Sequence, residues 1–266
     1  MIPRAYITEW RKNVPWQTSE QVEQDIIICQ ALIKIYQDDY LASHLAFRGG
    51  TALYKLFLNP ATRYSEDIDL VQIEAGPIKE TVQRLQNVFI DFDKSNVTRV
   101  ENSFKLIYHY PSEIEPVQKM KLKVEVNSRE HLAILGWNSV PFSIESLLFK
   151  GKANITTYKL EELLGTKMRA LYQRSKGRDL YDLYKFLTTY HLNTDQIIQC
   201  YKMYIEFSLR DREKHPPTKT QFENNLKEKL KDPAFLGDTK ALLKPNEPYN
   251  PLEAFDLVKI KLIDKI

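Results

Sequence analysis

Residues 47–70 read FRGGTALYKLFLNPATRYSEDIDL, and this stretch decides the fold. A short apolar run, Leu45–Arg48, ends in Gly49-Gly50, and residues 51–58 then read as a short helix that stops near Asn59-Pro60. A glycine pair between a strand and a helix frees backbone N–H groups to hold a phosphate chain, with the helix dipole behind them. Thr51 adds a hydroxyl donor at the same point. Asp67 and Asp69 then stand two apart where a strand over residues 68–73 begins. Residues i and i+2 of a strand point to one face. Two carboxylates so placed form a hard oxygen site suited to Mg²⁺, which could bridge triphosphate oxygens and activate an attacking hydroxyl. A Gly-Gly alone is most often a turn, and an Asp-x-Asp alone most often a solvated strand end or cap. Their order within one short stretch gives the pattern its specificity.

Upstream, Thr18 followed by Gln21 marks a capping box, and Val22, Ile26, Cys29, Ile33 and Tyr36 recur at helical spacing. Cys29 lies on that apolar face as a packed core thiol. Downstream, residues 78–89 have helical periodicity, and residues 97–110 hold one or two strands. Lys119–Asn127 is the cleanest strand: Met120, Leu122, Val124 and Val126 share one face, and Lys119, Lys121, Lys123 and Glu125 the other. After Pro141 the pattern reads as helical, with helices over 160–174, 178–190, 193–208, 219–230 and 252–258. The chain therefore mixes strands and helices first and turns helical later, with the boundary near 150–158.

With 266 residues, 43% hydrophobic and 27% charged, the chain has a globular composition. It has no apolar run of membrane-spanning length and no apolar signal-peptide core near its start. Two cysteines make no disulfide or metal framework, and a reducing, cytoplasmic setting is expected. The five histidines lack metal-ligand spacing, no serine sits in a nucleophile elbow, and no Gly-Lys-Ser/Thr follows the glycines. Net charge is only +3. Residues 1–155 carry 18 basic and 19 acidic residues and residues 156–266 carry 20 and 16, so the positive excess sits late in the chain. Lys167, Arg169, Arg174, Lys176 and Arg178 form a basic run uninterrupted by acids, with Tyr172, Tyr181 and Tyr184 in and after it. Such a run suits a nucleic-acid backbone and stacked bases; the other reading is a solvated helix with its aromatics in the core.

Gly49-Gly50-Thr51-Ala52-Leu53 and Arg63-Tyr64-Ser65-Glu66-Asp67-Ile68-Asp69-Leu70 resemble the nucleotidyltransferase superfamily with the DNA polymerase β-like fold, and more closely the AbiEii/AbiGii toxin family. That family carries Gly-Gly-Thr-x-Leu, then Arg-x-Ser-x-Asp-x-Asp-Leu, then a helix with a lysine, a basic turn and Arg-Asp-x-x-Asp-Leu. The last element is matched by Lys167, by residues 174–176 and by Arg178-Asp179-Leu180-Tyr181-Asp182-Leu183. Residues 1–40 and 195–266 carry no signature.

The resemblance implies an α+β fold: a nucleotidyltransferase domain with a small mixed sheet over residues 1–155, then a helical domain over 156–266 that completes the active-site cleft. It implies Mg²⁺-dependent transfer of a nucleotide from an NTP. In MenT-type relatives the acceptor is the 3′ end of tRNA, and an AbiEi-type antitoxin commonly accompanies the toxin. Carried over, Asp67 and Asp69 are the metal ligands, and Gly49, Gly50 and Ser65 contact triphosphate. Lys167 sits on a phosphate, and Asp182 orients Lys167 or polarises the acceptor. Asp179, three residues before Asp182, supports it or caps the helix. Glu125 is the third carboxylate, metal ligand or base, unless it is a surface residue paired with Lys121 or Lys123. Arg63 steadies the loop, reaches a phosphate, or pairs with Glu66. The alternatives are a protein acceptor on the same metal site, or a non-catalytic binding protein on the same fold.

Overall fold

The computed structural model describes residues 3–90, 92, 96–100, 103–147, 149–210 and 215–266. The chain divides into two compact units, Met1–Leu132 with Trp137–Tyr158, and Ala133–Gly136 with Lys159–Ile266.

The first unit opens with α1 (Arg4–Trp10) and α2 (Ser19–Gln37). The expected capping box is present: Thr18 Oγ1 accepts from the Gln21 N–H at 3.2 Å, and the Gln21 side chain accepts from the Thr18 N–H. The chain continues through α3 (Asp39–His44), β1 (Leu45–Arg48) and α4 (Gly49–Ala52), which runs into a single π-helical turn, Leu53–Phe57. Then come β2 (Asp67–Gln72), α5 (Lys79–Val88), β3 (Asn96–Val100), β4 (Ser103–Pro111), β5 (Lys119–Asn127), β6 (Trp137–Glu145) and β7 (Lys150–Tyr158). Residues 101–102, within the segment read as one or two strands, lie outside the described residues.

The seven strands form one mixed sheet in the order β3-β4-β5-β2-β1-β7-β6. β2 pairs parallel to β5 and antiparallel to β1, while β7 runs parallel to β1. The alternation read in β5 is observed: Leu122, Val124 and Val126 are fully buried, and Lys123 and Glu125 are half-buried on the other face. In β2, Ile68 and Leu70 are likewise buried, and Asp67 and Asp69 point the other way. The helix α2 packs against β5, β6 and β7 and buries Val22, Ile26, Ile28, Leu32 and Ile33 completely. Each such side chain contributes about 1.5–3 kcal/mol of transfer free energy. Cys29 is buried here as expected, and burial pushes its thiol up to about 12.

One expectation is overturned. The segment following Pro141 is not helical but forms the antiparallel hairpin β6–β7, in register from Trp137↔Tyr158 to Glu145↔Lys150. β6 is the last strand of the sheet, so Pro141 can sit in it without removing a ladder hydrogen bond on an inner strand. The sheet is accordingly larger than the small one expected.

The second unit is helical: α6 (Leu160–Gln173), α7 (Gly177–Thr189), α8 (Thr194–Leu209), α9 (Lys219–Lys229), α10 (Pro233–Gly237) and α11 (Pro251–Lys261). The helix α6 packs on α7, α8 and α9, and α7 on α11. Glu162 is fully buried in α6. It accepts from the N–H groups of Ile134 and Leu135 at 2.8 and 2.9 Å and from the Tyr204 hydroxyl at 2.9 Å. That clamp holds the 133–136 segment on the helices. Among the described residues, no helix is long and apolar enough to cross a membrane.

Candidate active site

The site in the sheet unit is assembled by strand register. Asp69 of β2 lies opposite Arg48 of β1 on one side and Glu125 of β5 on the other, and Asp67 lies opposite Lys123. Because register partners share a face, the polar side chains of three adjacent strands gather at one place. The chain leaves β1 through Gly49, whose φ of +81° is in the left-handed region. A Cβ at Gly49 would fall onto Asp69 Oδ2 and lie 3.1 Å from Asp69 Cβ and Cγ. Glycine is required here on both counts. The turn that heads α4 therefore passes directly against the Asp69 carboxylate.

Thr51 ties that helix to β2. Its Oγ1 donates to the Asp67 carbonyl at 2.5 Å and lies 2.8 Å from the Ser65 hydroxyl. Arg63 is buried, stacks its guanidinium 4.8 Å from the Tyr54 ring centre and donates to the Tyr64 carbonyl at 2.8 Å. Of the three roles open to Arg63, these contacts match the steadying of the loop; Glu66 is exposed. Arg48 bonds Glu130 at 2.7 Å.

Lys123 was not singled out as an Asp67 partner by the sequence. Its ammonium donates to Asp67 Oδ2 at 2.9 Å and lies 3.4 Å from Glu125 Oε2. Burial works against this charge, but the bond to Asp67 and the charges of Asp67, Asp69 and Glu125 raise the Lys123 pKa above its ordinary value. Glu125 also accepts from the Ser103 hydroxyl at 2.8 Å and lies 3.7 Å from Lys105. Burial first, then the neighbouring charges of Asp67 and Glu125, raise the Asp69 carboxyl above the ordinary range, against Lys123 and Arg48. A buried carboxylate crowded by like charges is a donor that a hard divalent cation relieves. Asp67 and Asp69, with Glu125 beside them, fit such an ion by chemistry, although no group of three His, Cys, Asp or Glu side chains converges into a formed metal cluster among the described residues.

In the helical unit, Lys167 of α6 lies 2.9 Å from Asp179 Oδ1 and 3.0 Å from Asp182 Oδ2, all three buried. The spacing of three on α7 brings both carboxylates to one lysine. Arg174 forks onto Asp179 at 2.7 and 2.8 Å. Burial pushes Asp179 up, but Lys167 and Arg174 outweigh it and hold the carboxyl well below the usual range.

The basic run is a different object in space from the one the sequence suggested. Lys167 and Arg169 are buried, Arg174 is engaged by Asp179, and Lys176 and Arg178 lie 3.7 Å from Asp238. Tyr172 packs against Phe222 at 5.2 Å. Tyr181 is buried against Tyr249 at 5.0 Å and donates to Glu247 at 3.0 Å, and Tyr184 lies 6.0 Å from Tyr249. Tyr181 is core, Tyr172 and Tyr184 are half-buried against other rings, and Lys167, Arg174, Lys176 and Arg178 each have a carboxylate within 4 Å, so the run is not a free row of cations interleaved with exposed rings.

A mixed sheet with a glycine turn laid against paired strand aspartates is the arrangement of a nucleotidyltransferase. Residues 31–259 match the family described as nucleotidyl transferase AbiEii toxin of type IV toxin–antitoxin systems, and the chain belongs to that family. The fold is shared with MenT4, a nucleotidyltransferase toxin of Mycobacterium tuberculosis H37Rv, at a TM-score of 0.72, 15% identity and coverage of 100% of this chain and 91% of that one. It is shared as well with JHP933 of Helicobacter pylori, at 0.59, 18% identity and 93% of each chain. A search of curated proteins finds no significant match. The protein is therefore a nucleotidyltransferase toxin of a type IV toxin–antitoxin family.

Proposed function

We propose that this enzyme moves a nucleoside monophosphate from an NTP to an RNA acceptor, the 3′ end of tRNA in particular, and that transfer requires Mg²⁺. The observation that carries the proposal is the Gly49 turn packed against the Asp69 carboxylate, with Thr51 bonded to the Asp67 backbone, which supports reading the turn and the two carboxylates as parts of one site. A divalent cation held by Asp67 and Asp69, with Glu125 at hand, supplies charge neutralisation at the triphosphate. Gly49, Gly50 and Ser65 hold the phosphate chain, and Thr51, buried with its hydroxyl proton given to the Asp67 carbonyl, holds the turn in place instead of meeting phosphate. The acceptor hydroxyl forms the new bond to the α-phosphorus, the α–β phosphoanhydride bond breaks, and pyrophosphate leaves with the electron pair. In this reading Glu125 takes the hydroxyl proton. Lys167, bonded to Asp179 and Asp182 within the helical unit, keeps those buried carboxylates compensated there. An AbiEi-type antitoxin partner and a cytoplasmic site of action accompany this reading.

A protein acceptor is the second reading, and the neutralised basic run favours keeping it. The test offers purified protein, Mg²⁺, total tRNA and each α-labelled NTP in turn, with Asp67→Asn as control. Label on tRNA with one NTP, absent in the control, is the expected result. Label on protein instead promotes the second reading, and label with the folded Asp67→Asn variant at the wild-type level sinks both.

A further inference from the structure

The reaction leaves one buried ion pair of the sheet unit without a role. Asp25 of α2 is buried, and donors surround its carboxylate. Oδ1 accepts from Trp16 Nε1 at 2.7 Å and from Lys55 Nζ at 2.6 Å. Oδ2 accepts from Trp10 Nε1 at 3.1 Å and, more weakly, from the Cys29 thiol at 3.7 Å. The Lys55 side chain is only 12% exposed. Lys55 lies in the π-helical turn that directly continues α4, and such widened turns occur frequently at functional sites. The glycine-headed helix is thus tied twice, through Thr51 to β2 and through Lys55 to α2.

The neighbouring residue does the same for the strands. Gln24 Nε2 donates to the Lys121 carbonyl of β5 at 3.0 Å and to the Glu66 carbonyl, one residue before Asp67, at 3.5 Å. Trp16, which holds Asp25, also meets Tyr64 of the aspartate motif edge-on at 5.4 Å. The bonds of Gln24 and Asp25, and the Trp16 ring that serves Asp25, reach the turn that continues α4 and the segment that leads into β2. A buried ion pair contributes little net stability, and apolar side chains of similar volume often serve as well. What this pair adds is direction, since one ammonium meets one carboxylate whose oxygens two indoles already hold.

We propose that Asp25 and Lys55 are positioning residues for the phosphate-binding turn: their ion pair sets the register of α4 so that its N-terminal N–H groups meet the triphosphate. The proposal rests on the NTP-dependent reaction proposed above. Neither residue touches substrate. The segment bearing Trp10 and Trp16, which carries no recognisable motif, belongs to the same device by holding Asp25.

The test compares the full-length wild type with Lys55→Met, Lys55→Arg and the neutral pair Asp25→Asn with Lys55→Met, which keeps one acceptor oxygen, enough for the shorter of the two indole bonds. Amide hydrogen exchange of the peptide over residues 49–57 is measured without nucleotide, and steady-state transfer with Mg²⁺ and NTP. The neutral pair is expected to melt cooperatively near the wild type, to exchange faster over 49–57, and to lose at least roughly tenfold in kcat/KM for the NTP with the acceptor KM unchanged. Lys55→Arg is expected to recover most of that loss. If the double variant does not fold, Lys55→Met carries the same comparison. A folded variant with wild-type exchange over 49–57 and wild-type kcat/KM for the NTP overturns the proposal. A wild type that binds no NTP overturns the reading beneath it, and shows in the control before any variant is compared.

Discussion

Asp69 is the residue on which the geometry of the site converges, with Arg48 and Glu125 in register on either side and the Gly49 turn against its carboxylate. Gly49→Ala should therefore do two things. It places an L residue in a left-handed conformation, at about 1–2 kcal/mol, and drives a methyl group onto Asp69. The expected result is a lowered melting temperature and a loss of nucleotidyl transfer of roughly a hundredfold or more, measured side by side on one preparation. Asp67→Asn, by contrast, removes a carboxylate that is partly open to solvent and should leave a folded, inactive protein. Away from the site, Glu23 on α2 is buried and accepts from the Glu113 N–H at 3.2 Å. Burial, offset by that bond and reinforced by the charges of Glu113 and Glu20, raises its carboxyl from 4.5 to about 7. The folded chain then binds more protons than the unfolded one between those values. Its contribution is full below the unfolded pKa and is lost as pH rises through about 7. Melting curves from pH 5 to pH 8 should fall with pH in this respect, and Glu23→Gln should flatten the trend.

At the scale of elements, two helices approach closely enough to make a glycine decisive. A Cβ at Gly165 of α6 would lie 2.6 Å from Cys200 Cβ, 2.9 Å from the Ile197 carbonyl oxygen and 3.0 Å from the Tyr201 nitrogen of α8. Gly165→Ala should destabilise by about 1–3 kcal/mol, seen as a lower denaturation midpoint, and Cys200→Ala should not restore it, because the crowding atoms are Cβ and backbone. Such contacts are invisible in sequence, as is register. The motif residues Gly49, Thr51, Asp67 and Asp69 could be picked out because their pattern is local: a turn, a hydroxyl beside it and an i,i+2 pair on one strand. The alternation of β5 put Glu125 and Lys123 on a polar face. Only the parallel pairing of β2 with β5 brings Glu125 beside Asp69 and Lys123 onto Asp67. Likewise, the apolar face of α2 was readable at helical spacing, but its buried Glu23, Gln24 and Asp25 find partners on other elements, and nothing in their own spacing reveals it. The β6–β7 hairpin was misread because Pro141 breaks a strand pattern everywhere except at a sheet edge, and the edge is a property of the completed sheet.

At the scale of the whole molecule, part of the charge that suggested RNA is already held by carboxylates. The excess over residues 156–266 includes Lys167 and Arg174, which are committed to Asp179 and Asp182. Exchanging those buried partners for phosphate would leave buried carboxylates uncompensated. Lys176 and Arg178 differ. They are only loosely paired with Asp238 at 3.7 Å, and exposed pairs of that kind contribute about 0–1 kcal/mol. They can turn to an RNA backbone at little cost. The expected outcome, with NTP saturating so that donor charge drops out, is that kcat/KM for an RNA acceptor falls with salt. Each lost phosphate contact lowers the slope of the log–log plot by about 0.7 for a single strand. Lys176→Ala with Arg178→Ala should therefore flatten that slope by about 1.4 without lowering the melting temperature. Arg174→Ala, which strips a fork from buried Asp179, should lower the melting temperature and leave the slope where it was. An unchanged slope in the double variant would move the acceptor-binding surface off this turn altogether, and a slope near zero in the wild type would favour a protein acceptor, whose binding releases no condensed counterions.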